Sequence, residues 1–285
     1  MYSKRLYSPL RYPGGKATFG PFMADVMDAN NLTGGHYLEP YAGGAGVALD
    51  LLFNGYASHV HINDADPAVH AFWIAATRHA PQLLDLLDTT PITIDEWFKW
   101  RSVLYDADTR STVERGFAML FMNRTNRSGI LTAGVIGGKN QAGTYKLDAR
   151  FKKEVIAARL SAIAERAADI SVHCQDSLYL LKDCSQFLPR KSLIYLDPPY
   201  YVKGKQLYRN FYEHDDHVAV AAQLQRSRFK WPWVVSYDDV QPIRDMYAES
   251  AGLTYGLNYT AQQRYVGNEI MFFSNKLRIP ESALA

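Results

Sequence analysis

The chain has 285 residues, of which 47% are hydrophobic and 21% charged, so its composition is that of a globular protein and excludes a low-complexity or collagen-like chain. We find no apolar run near the ~18 residues of a membrane span and no charged-then-apolar leader, and therefore expect no membrane partner. The two cysteines predict reduced thiols in a cytoplasmic protein. Cys174 and Cys184 lack metal-ligand spacing, so we expect neither a metal site nor a disulfide framework.

The first motif is "RYPGGKAT" at residues 11–18, a glycine turn that ends in Lys16. It differs from a phosphate-binding loop, because Ala17 follows the lysine and Leu10 occupies the first glycine position. Two interpretations stay open: a solvated turn, or a lysine that meets an anionic ligand or packs beside the main site.

The second motif, "EPYAGGAGV" at residues 39–47, places glycines between a predicted strand and a predicted helix. Such a turn lets backbone N–H groups approach a ligand, although glycines also form ordinary connections. It is not a full dinucleotide fingerprint, since Leu49 stands at the sixth position. Asp64 follows the next strand, where an acid can accept hydrogen bonds from a ribose, so the two features together favour an adenosine-type ligand.

A long interval separates the strand "HVHIND" (59–64) from the strand "ISVHCQD" (170–176). About a hundred residues exceed one crossover connection, so we predict an inserted domain at 67–167 within a core domain formed by 1–66 and 168–285. "STVE" (111–114) predicts the capping box of a helix that ends near Met122, and the glycine-rich stretch after it predicts loops and a hairpin.

One window of the inserted domain has a strong excess of basic over acidic residues. Residues 110–153 hold nine basic and two acidic side chains, whereas the rest of the chain holds 22 basic and 27 acidic ones, for a net charge of +2 overall. This distribution favours a polyanionic partner.

Short apolar strands alternate with helical patterns along the core domain and end in polar or acidic residues. This predicts an α/β fold, a Rossmann-like, mostly parallel sheet with helices on both faces. Ligands of such sheets bind beyond the carboxyl ends of the strands, where Glu39, Asp64, Asp176 and Asp197 fall.

"SLIYLDPPY" (192–200) is the most specific motif. Two prolines stiffen the backbone around Asp197 and Tyr200 and remove competing N–H donors. The Asp197 carboxylate and the Pro198 carbonyl then form a pair of acceptors that suits an amine with two N–H groups, while Tyr200 offers a flat face to a flat ring.

In these motifs the chain resembles the Dam-like, D12 class of DNA adenine-N6 methyltransferases over nearly its whole length. "RYPGGK", "EPYAGGAGV", "NDADP" (63–67), "HCQD" (173–176) and "DPPY" (197–200) follow that family's motif order, and "SYDD" (236–239) and "QQRYVGNEIMFFSN" (262–275) resemble its last core strands. Tyr12 and Tyr41 stand where a tryptophan and a phenylalanine are common in the family.

The resemblance implies an S-adenosylmethionine-dependent methyltransferase fold and assigns roles to particular residues. The catalytic residues would be Asp197, Pro198 and Tyr200. The cofactor-binding residues would be Tyr12, Lys16, Glu39, Tyr41, Gly43, Gly44, Gly46, Asp64, Asp176 and Asp197, with no metal. The "NRTNRSG" stretch and the hairpin after it would recognise double-stranded DNA, with Asn123, Arg124, Asn126, Arg127, Lys139 and Lys146 as candidate contacts.

The implied reaction moves a methyl group to N6 of an adenine flipped out of duplex DNA. For the four residues at 123–127 a polar turn that caps the preceding helix stays open as an alternative. Two other functions also stay open: methylation of RNA adenine or of a protein amide, and a DNA-binding relative that has lost catalysis. We expect a cytoplasmic, monomeric, bacterial or phage-encoded enzyme, whose target sequence and role in restriction–modification or elsewhere the sequence leaves undetermined.

Overall fold

The computed structural model describes residues 6–12, 16–106, 109–202, 212–259 and 265–280. Residues 13–15 of the "RYPGGK" motif and 262–264 of the last motif therefore lie outside the described residues. The chain divides into two compact units. The first comprises Met1–Leu6, Lys16–Ala65 and His173–Ala285, and the second comprises Tyr7–Gly15 and Asp66–Val172.

The core of the fold is a seven-stranded sheet in the order β3-β2-β1-β4-β5-β7-β6. The strands are β1 (Gly35–Glu39), β2 (Ala57–Asn63), β3 (Ile170–His173), β4 (Ser192–Leu196), β5 (Trp233–Asp238), β6 (Ala251–Tyr259) and β7 (Tyr265–Phe273). Pairs β1–β2, β1–β4 and β4–β5 are parallel, and β7 is antiparallel to both β5 and β6. The predicted Rossmann-like, mostly parallel sheet is confirmed.

The helices of the first unit flank this sheet. They are α1 (Gly20–Ala29), α2 (Gly46–Phe53), α8 (Ser177–Asp183), α9 (His214–Leu224) and α10 (Gln241–Met246). Helix α1 packs on α2, while α8 and α10 pack on α9. Strand β4 is mostly apolar, and all five of its residues are buried. Such continuous burial is expected of a parallel strand that is covered on both faces.

The second unit contains five helices among its described residues. They are α3 (Pro67–Arg78), α4 (Ala80–Thr89), α5 (Ile94–Tyr105), α6 (Thr112–Thr125) and α7 (Lys153–Glu165). Helix α6 contacts α3, α4 and α5 and is buried from Gly116 to its end. A Cβ atom at Gly116 would lie 2.7 Å from the Ala71 carbonyl oxygen, so glycine is required for this close approach of α6 to α3.

The start of α6 agrees with the sequence, whereas the segment after it does not. Ser111 and Glu114 form the predicted capping box, and the helix runs three residues beyond the predicted end, to Thr125. The predicted hairpin is replaced, within the described residues, by 3-10 turns and one isolated bridge between Asn126 and Val135. Positive φ angles at Ser128, Gly129, Gly137, Gly138 and Gln141 prevent a continuous strand there.

Among the described residues, no helix is both long enough and apolar enough to cross a membrane.

Four histidines lie side by side on strands β1, β2 and β3. His36 Nδ1 lies 3.0 Å from His61 Nε2, and His173 Nε2 lies 3.4 Å from His61 Nδ1. His59 stacks on His36 at 5.0 Å between ring centroids, and Phe187 covers His61 at 5.1 Å. Burial, reinforced by the neighbouring histidines, lowers the pKa of His61 to about 3, so His61 is neutral in the fold.

We predict that this row makes the protein less stable in acid. His61 titrates near 6.5 when unfolded and near 3 when folded, so the unfolded state binds the extra proton as the pH falls through this window. Between pH 7.5 and pH 4.5 the wild type should lose up to about 3 kcal/mol more free energy of unfolding than His61→Gln. Urea unfolding at both pH values measures this, and an equal loss in the two proteins would contradict it.

Candidate functional site

Asp197 lies directly after strand β4, and its neighbours in the protein bind one of its two carboxylate oxygens. Its Oδ1 accepts a hydrogen bond from Ser236 Oγ at 2.9 Å and lies 3.1 Å from Lys16 Nζ. Ser236 is itself fixed by the Tyr195 hydroxyl at 2.9 Å. Among the described residues Oδ2 has no hydrogen-bond partner, and the side chain keeps 21% of its surface exposed. One oxygen therefore anchors the carboxylate, and the other is left for a ligand.

Lys16 is buried in a cluster of opposite charges rather than solvated. Its Nζ pairs with Asp197 at 3.1 Å and with Glu269 Oε2 at 3.2 Å, and donates to the Tyr200 hydroxyl at 2.9 Å. The Tyr200 hydroxyl in turn donates to Glu269 Oε1. The structure thus places Lys16 beside Asp197 and Tyr200, two residues of the predicted catalytic motif.

The electrostatics of Asp197 are set by burial and by two neighbouring charges of opposite sign. Burial raises the pKa of its carboxyl, the Lys16 ammonium opposes that rise, and Glu269 adds to it. Lys16 is thus the neighbour that favours the ionised, accepting form of Asp197.

The backbone after the "DPPY" motif is fixed by Asp238, at the end of β5. Its two carboxylate oxygens accept hydrogen bonds from the N–H groups of Tyr201 at 2.9 Å and Val202 at 3.0 Å. The motif is therefore held at its start by Ser236 and at its end by Asp238, both from the same strand.

Asp64 and the glycine turn meet at the carboxyl ends of β1 and β2. Asp64 is half-buried, and its Oδ2 accepts from Gly43 N at 3.0 Å. The turn needs left-handed backbone at Gly43 (φ 45°) and Ala45 (φ 47°), and a Cβ at Gly46 would touch Ala17 at 3.0 Å. Gly44 is buried between these residues. The predicted partners Asp64 and the glycine turn thus lie together.

Glu39 is buried and bonds to protein groups. It is 5% exposed, and its Oε1 accepts from the Tyr37 hydroxyl at 3.2 Å and from Ala48 N at 2.9 Å. Burial is the main cause that raises its pKa to about 8. In the structure Glu39 fixes the start of α2, and its contact with a cofactor stays a prediction.

Asn63, for which the sequence predicted no role, links the loops after β1 and β3 to the end of β2 by hydrogen bonds. Its Nδ2 donates to the carbonyls of Pro40 at 2.8 Å and Gln175 at 3.0 Å, and its Oδ1 accepts from Gln175 N at 2.9 Å. The available signal in the sequence was the position of this amide, directly before Asp64 at the end of a strand. By this bonding Asn63 fixes the loops that carry Tyr41 and Asp176.

Three other predicted cofactor residues occupy separate places. Asp176 is exposed and caps α8, with its Oδ1 accepting from Leu178 N at 2.9 Å. Tyr41 is half-buried, and its hydroxyl donates to Tyr212 at 3.1 Å. Tyr12 belongs to the second unit.

The side chains and backbone groups at the carboxyl edge of the sheet fit S-adenosylmethionine. Asp64 and Asp176 supply carboxylates at the ends of β2 and β3, and the Gly43–Gly44 turn supplies backbone beside the start of α2. Carboxylates at strand ends and a glycine turn match the hydroxyls and amine of an adenosine group. No group of three or more His, Cys, Asp or Glu side chains in the described part of the chain is arranged to hold a metal ion.

Three of the six predicted DNA contacts are buried within the second unit. Asn123 exchanges hydrogen bonds of 2.8 Å with the backbone N–H and carbonyl of Arg11, and Arg124 Nε donates to the Pro9 carbonyl at 2.7 Å. Asn126 Oδ1 accepts from the Trp97 indole at 2.8 Å. These bonds favour the alternative that the sequence left open, a polar turn that closes α6, and base contact by these residues stays a prediction.

The other three predicted DNA contacts are exposed. Arg127, Lys139 and Lys146 all lie on the surface of the second unit. Lys139 Nζ lies 5.7 Å from the Phe98 ring centroid, and Lys146 Nζ donates to the Gln141 carbonyl. Their positive charges are accessible to a polyanion.

Comparison with known proteins assigns the chain to a protein family. Solved structures with a similar chain trace include a Pyrococcus horikoshii protein described as a "putative RNA methyltransferase" (12% identity, TM-score 0.43, 93% of this chain and 84% of that chain covered). Another is a Legionella pneumophila protein (13% identity, TM-score 0.34, 93% and 89% covered). No protein with a curated description matches the sequence. The model of the D12 class N6 adenine-specific DNA methyltransferases matches residues 12–264, and the chain therefore belongs to this family of methyltransferases.

Proposed function

We propose that the protein methylates N6 of adenine in double-stranded DNA, at a specific sequence and with the base flipped out of the duplex. The observation that carries this proposal is the orientation of Asp197: Ser236 and Lys16 hold its Oδ1, and Oδ2 is left as an acceptor at the sheet edge. The family assignment supplies the chemistry of N6 methylation. The family name and the exposed basic residues of the second unit support DNA as the substrate.

In this mechanism Asp197 Oδ2 accepts one N6–H of the adenine and the Pro198 carbonyl accepts the other. These two bonds draw the amine away from conjugation with the ring and direct its lone pair outward. S-adenosylmethionine, when bound, supplies an electrophilic methyl group on a sulfonium leaving group. Positioning and electrostatics account for the rate, since the protein residues form no covalent bond.

The cofactor is held, in this proposal, by the residues that meet at the carboxyl edge of the sheet. Asp64 binds the ribose hydroxyls and Asp176 the adenine amine, while the Gly43–Gly44 turn lies along the rest of the molecule. Tyr200 positions the flipped base, with its hydroxyl fixed by Lys16 and Glu269. The exposed cations of the second unit hold phosphates.

The first prediction from this proposal concerns Asp197 as the acceptor of N6–H. Asp197→Asn places an N–H group or a neutral oxygen where the carboxylate accepts N6–H, so the methylation rate should fall by about 100-fold or more. Asp239→Asn is the matched control, because it makes the same change in an ion pair with Arg244 that the mechanism does not use, and it should leave the rate unchanged. The assay follows N6-methyladenine in duplex DNA and in RNA of the same sequence. Methylation of RNA alone would overturn DNA as the substrate, and full activity of Asp197→Asn would overturn the mechanism.

The second prediction concerns the cofactor. Asp64→Ala should weaken S-adenosylmethionine by about 1.5–3 kcal/mol, the usual contribution of hydrogen bonds to a charged group. Asp66→Asn is the control from the same motif, since Asp66 caps α3 through Ala68 N and asparagine preserves that cap. Calorimetric titration measures both proteins, and equal cofactor affinity in Asp64→Ala and wild type would remove Asp64 from the site.

The third prediction concerns the basic surface. Lys139→Ala and Lys146→Ala should each reduce the log–log salt slope of DNA binding by about 0.9 for every phosphate that the lysine neutralises, on cognate and random duplexes alike. If Arg127 reads a base, Arg127→Ala should cost about 1–3 kcal/mol on the cognate duplex and little on random DNA. Lys182→Ala, a basic residue of the first unit, is the control. Unchanged slopes and affinities in all three variants would show that this surface only faces solvent.

A further inference from the structure

Glu269, on strand β7, is a buried acid that no step of the mechanism above uses as a reactant. It is 1% exposed, and an acidic side chain is rarely buried so fully unless it has a partner. Its Oε2 pairs with Lys16 Nζ at 3.2 Å and accepts from the Tyr255 hydroxyl at 2.7 Å, while its Oε1 accepts from the Tyr200 hydroxyl. Glu269 thus binds both Lys16, which contacts Asp197, and Tyr200, the last residue of the "DPPY" motif.

The titratable groups that face Asp197 can be assigned their charges at neutral pH. Burial raises the pKa values of Tyr37, Tyr195 and Tyr255, so these hydroxyls are neutral. Glu39, with a pKa of about 8, is mainly protonated. Among the described residues the other titratable neighbours of Asp197 are Lys16 and Glu269, and the Lys16 Nζ lies between the two carboxyl groups.

We propose that Glu269 is a positioning residue for methyl transfer, which acts on Asp197 by sharing Lys16 with it and on Tyr200 by fixing its hydroxyl. This inference rests on the proposed function. With Lys16 at 3.1 Å from one carboxylate and 3.2 Å from the other, neither acid holds the ammonium alone. Asp197 therefore retains enough negative character to accept N6–H and to stabilise the positive charge that develops on N6.

If Glu269 only stabilised the fold, its substitution would lower the stability of the protein and leave the pKa of Asp197 unchanged. Glutamine at 269 keeps the side-chain shape and one carbonyl that accepts from a tyrosine, but it removes the charge and replaces the other acceptor oxygen by an amide NH₂ group. Lys16 would then pair with Asp197 alone. Because Glu269 raises the pKa of Asp197, its removal should lower that pKa and make Asp197 a weaker acceptor.

The decisive experiment compares Glu269→Gln with wild type in three measurements. The turnover number should fall by about tenfold or more, while the dissociation constant of S-adenosylmethionine stays within about threefold. The acid limb of the rate profile, where Asp197 becomes protonated, should move to lower pH. Carbon-13 NMR of the Asp197 carboxyl in the cofactor-free protein, assigned with Asp197→Asn, should show the same direction of shift without any need for activity.

A double-mutant cycle tests whether the effect passes through Lys16. In a Lys16→Met background the further change Glu269→Gln should have a smaller effect on turnover than in the wild type, because the shared ammonium is already gone and only the contact with Tyr200 is left to lose. Equal, additive losses in the two backgrounds would overturn the inference. Should Glu269→Gln lose cooperative thermal unfolding, Tyr255→Phe takes its place. That variant removes one donor to Glu269, and its turnover and acid limb must then differ from those of the wild type.

The outcomes separate this inference from the proposed function. If the wild type methylates RNA but not DNA, the DNA assignment fails, and the same variants are compared on RNA. If the wild type methylates DNA and Glu269→Gln matches it in turnover and acid limb, the inference alone fails. If the wild type methylates neither, the NMR titration decides: an unmoved Asp197 titration in Glu269→Gln overturns the coupling.

Discussion

The shared ammonium of Lys16 is the interaction on which the site depends. It lies 3.1 Å from Asp197 and 3.2 Å from Glu269, and it also donates to Tyr200. A buried carboxylate is unstable without a partner, and two together are more so. The ammonium between the two carboxyl groups offsets the cost of burying both of them. The position and charge of the "DPPY" motif therefore depend on a lysine far away in sequence.

The sheet supplies the rigidity that this cluster requires. Ser236 and Asp238, both on β5, hold the side chain of Asp197 and the backbone that follows the motif. Asn63 ties the loops after β1 and β3 to the end of β2. Polar side chains at strand ends thus bond to neighbouring strands and loops, and these bonds hold the loops that carry the predicted site residues.

The second unit separates two kinds of polar residue that look alike in the sequence. Asn123 and Asn126 satisfy backbone and indole groups that would otherwise be buried without partners. Arg127, four residues from one and adjacent to the other, is exposed. Amides and guanidinium groups suit base edges and buried carbonyls equally well, so residue type alone does not distinguish recognition from structural support.

The sequence alone determined the sheet class, the capping box of α6 and the grouping of Asp64 with the glycine turn, because each depends on local periodicity or on residues close together in the chain. It also marked Asp197, since two prolines after an acid leave few other interpretations. The tertiary structure decided the rest. Glu269 reads locally as one acid among apolar strand residues, and its partnership with Lys16 exists only because the fold brings the two ends of the first unit to the same sheet edge. Contacts between residues so distant in sequence leave no local pattern, and their partners become visible only once the chain is folded.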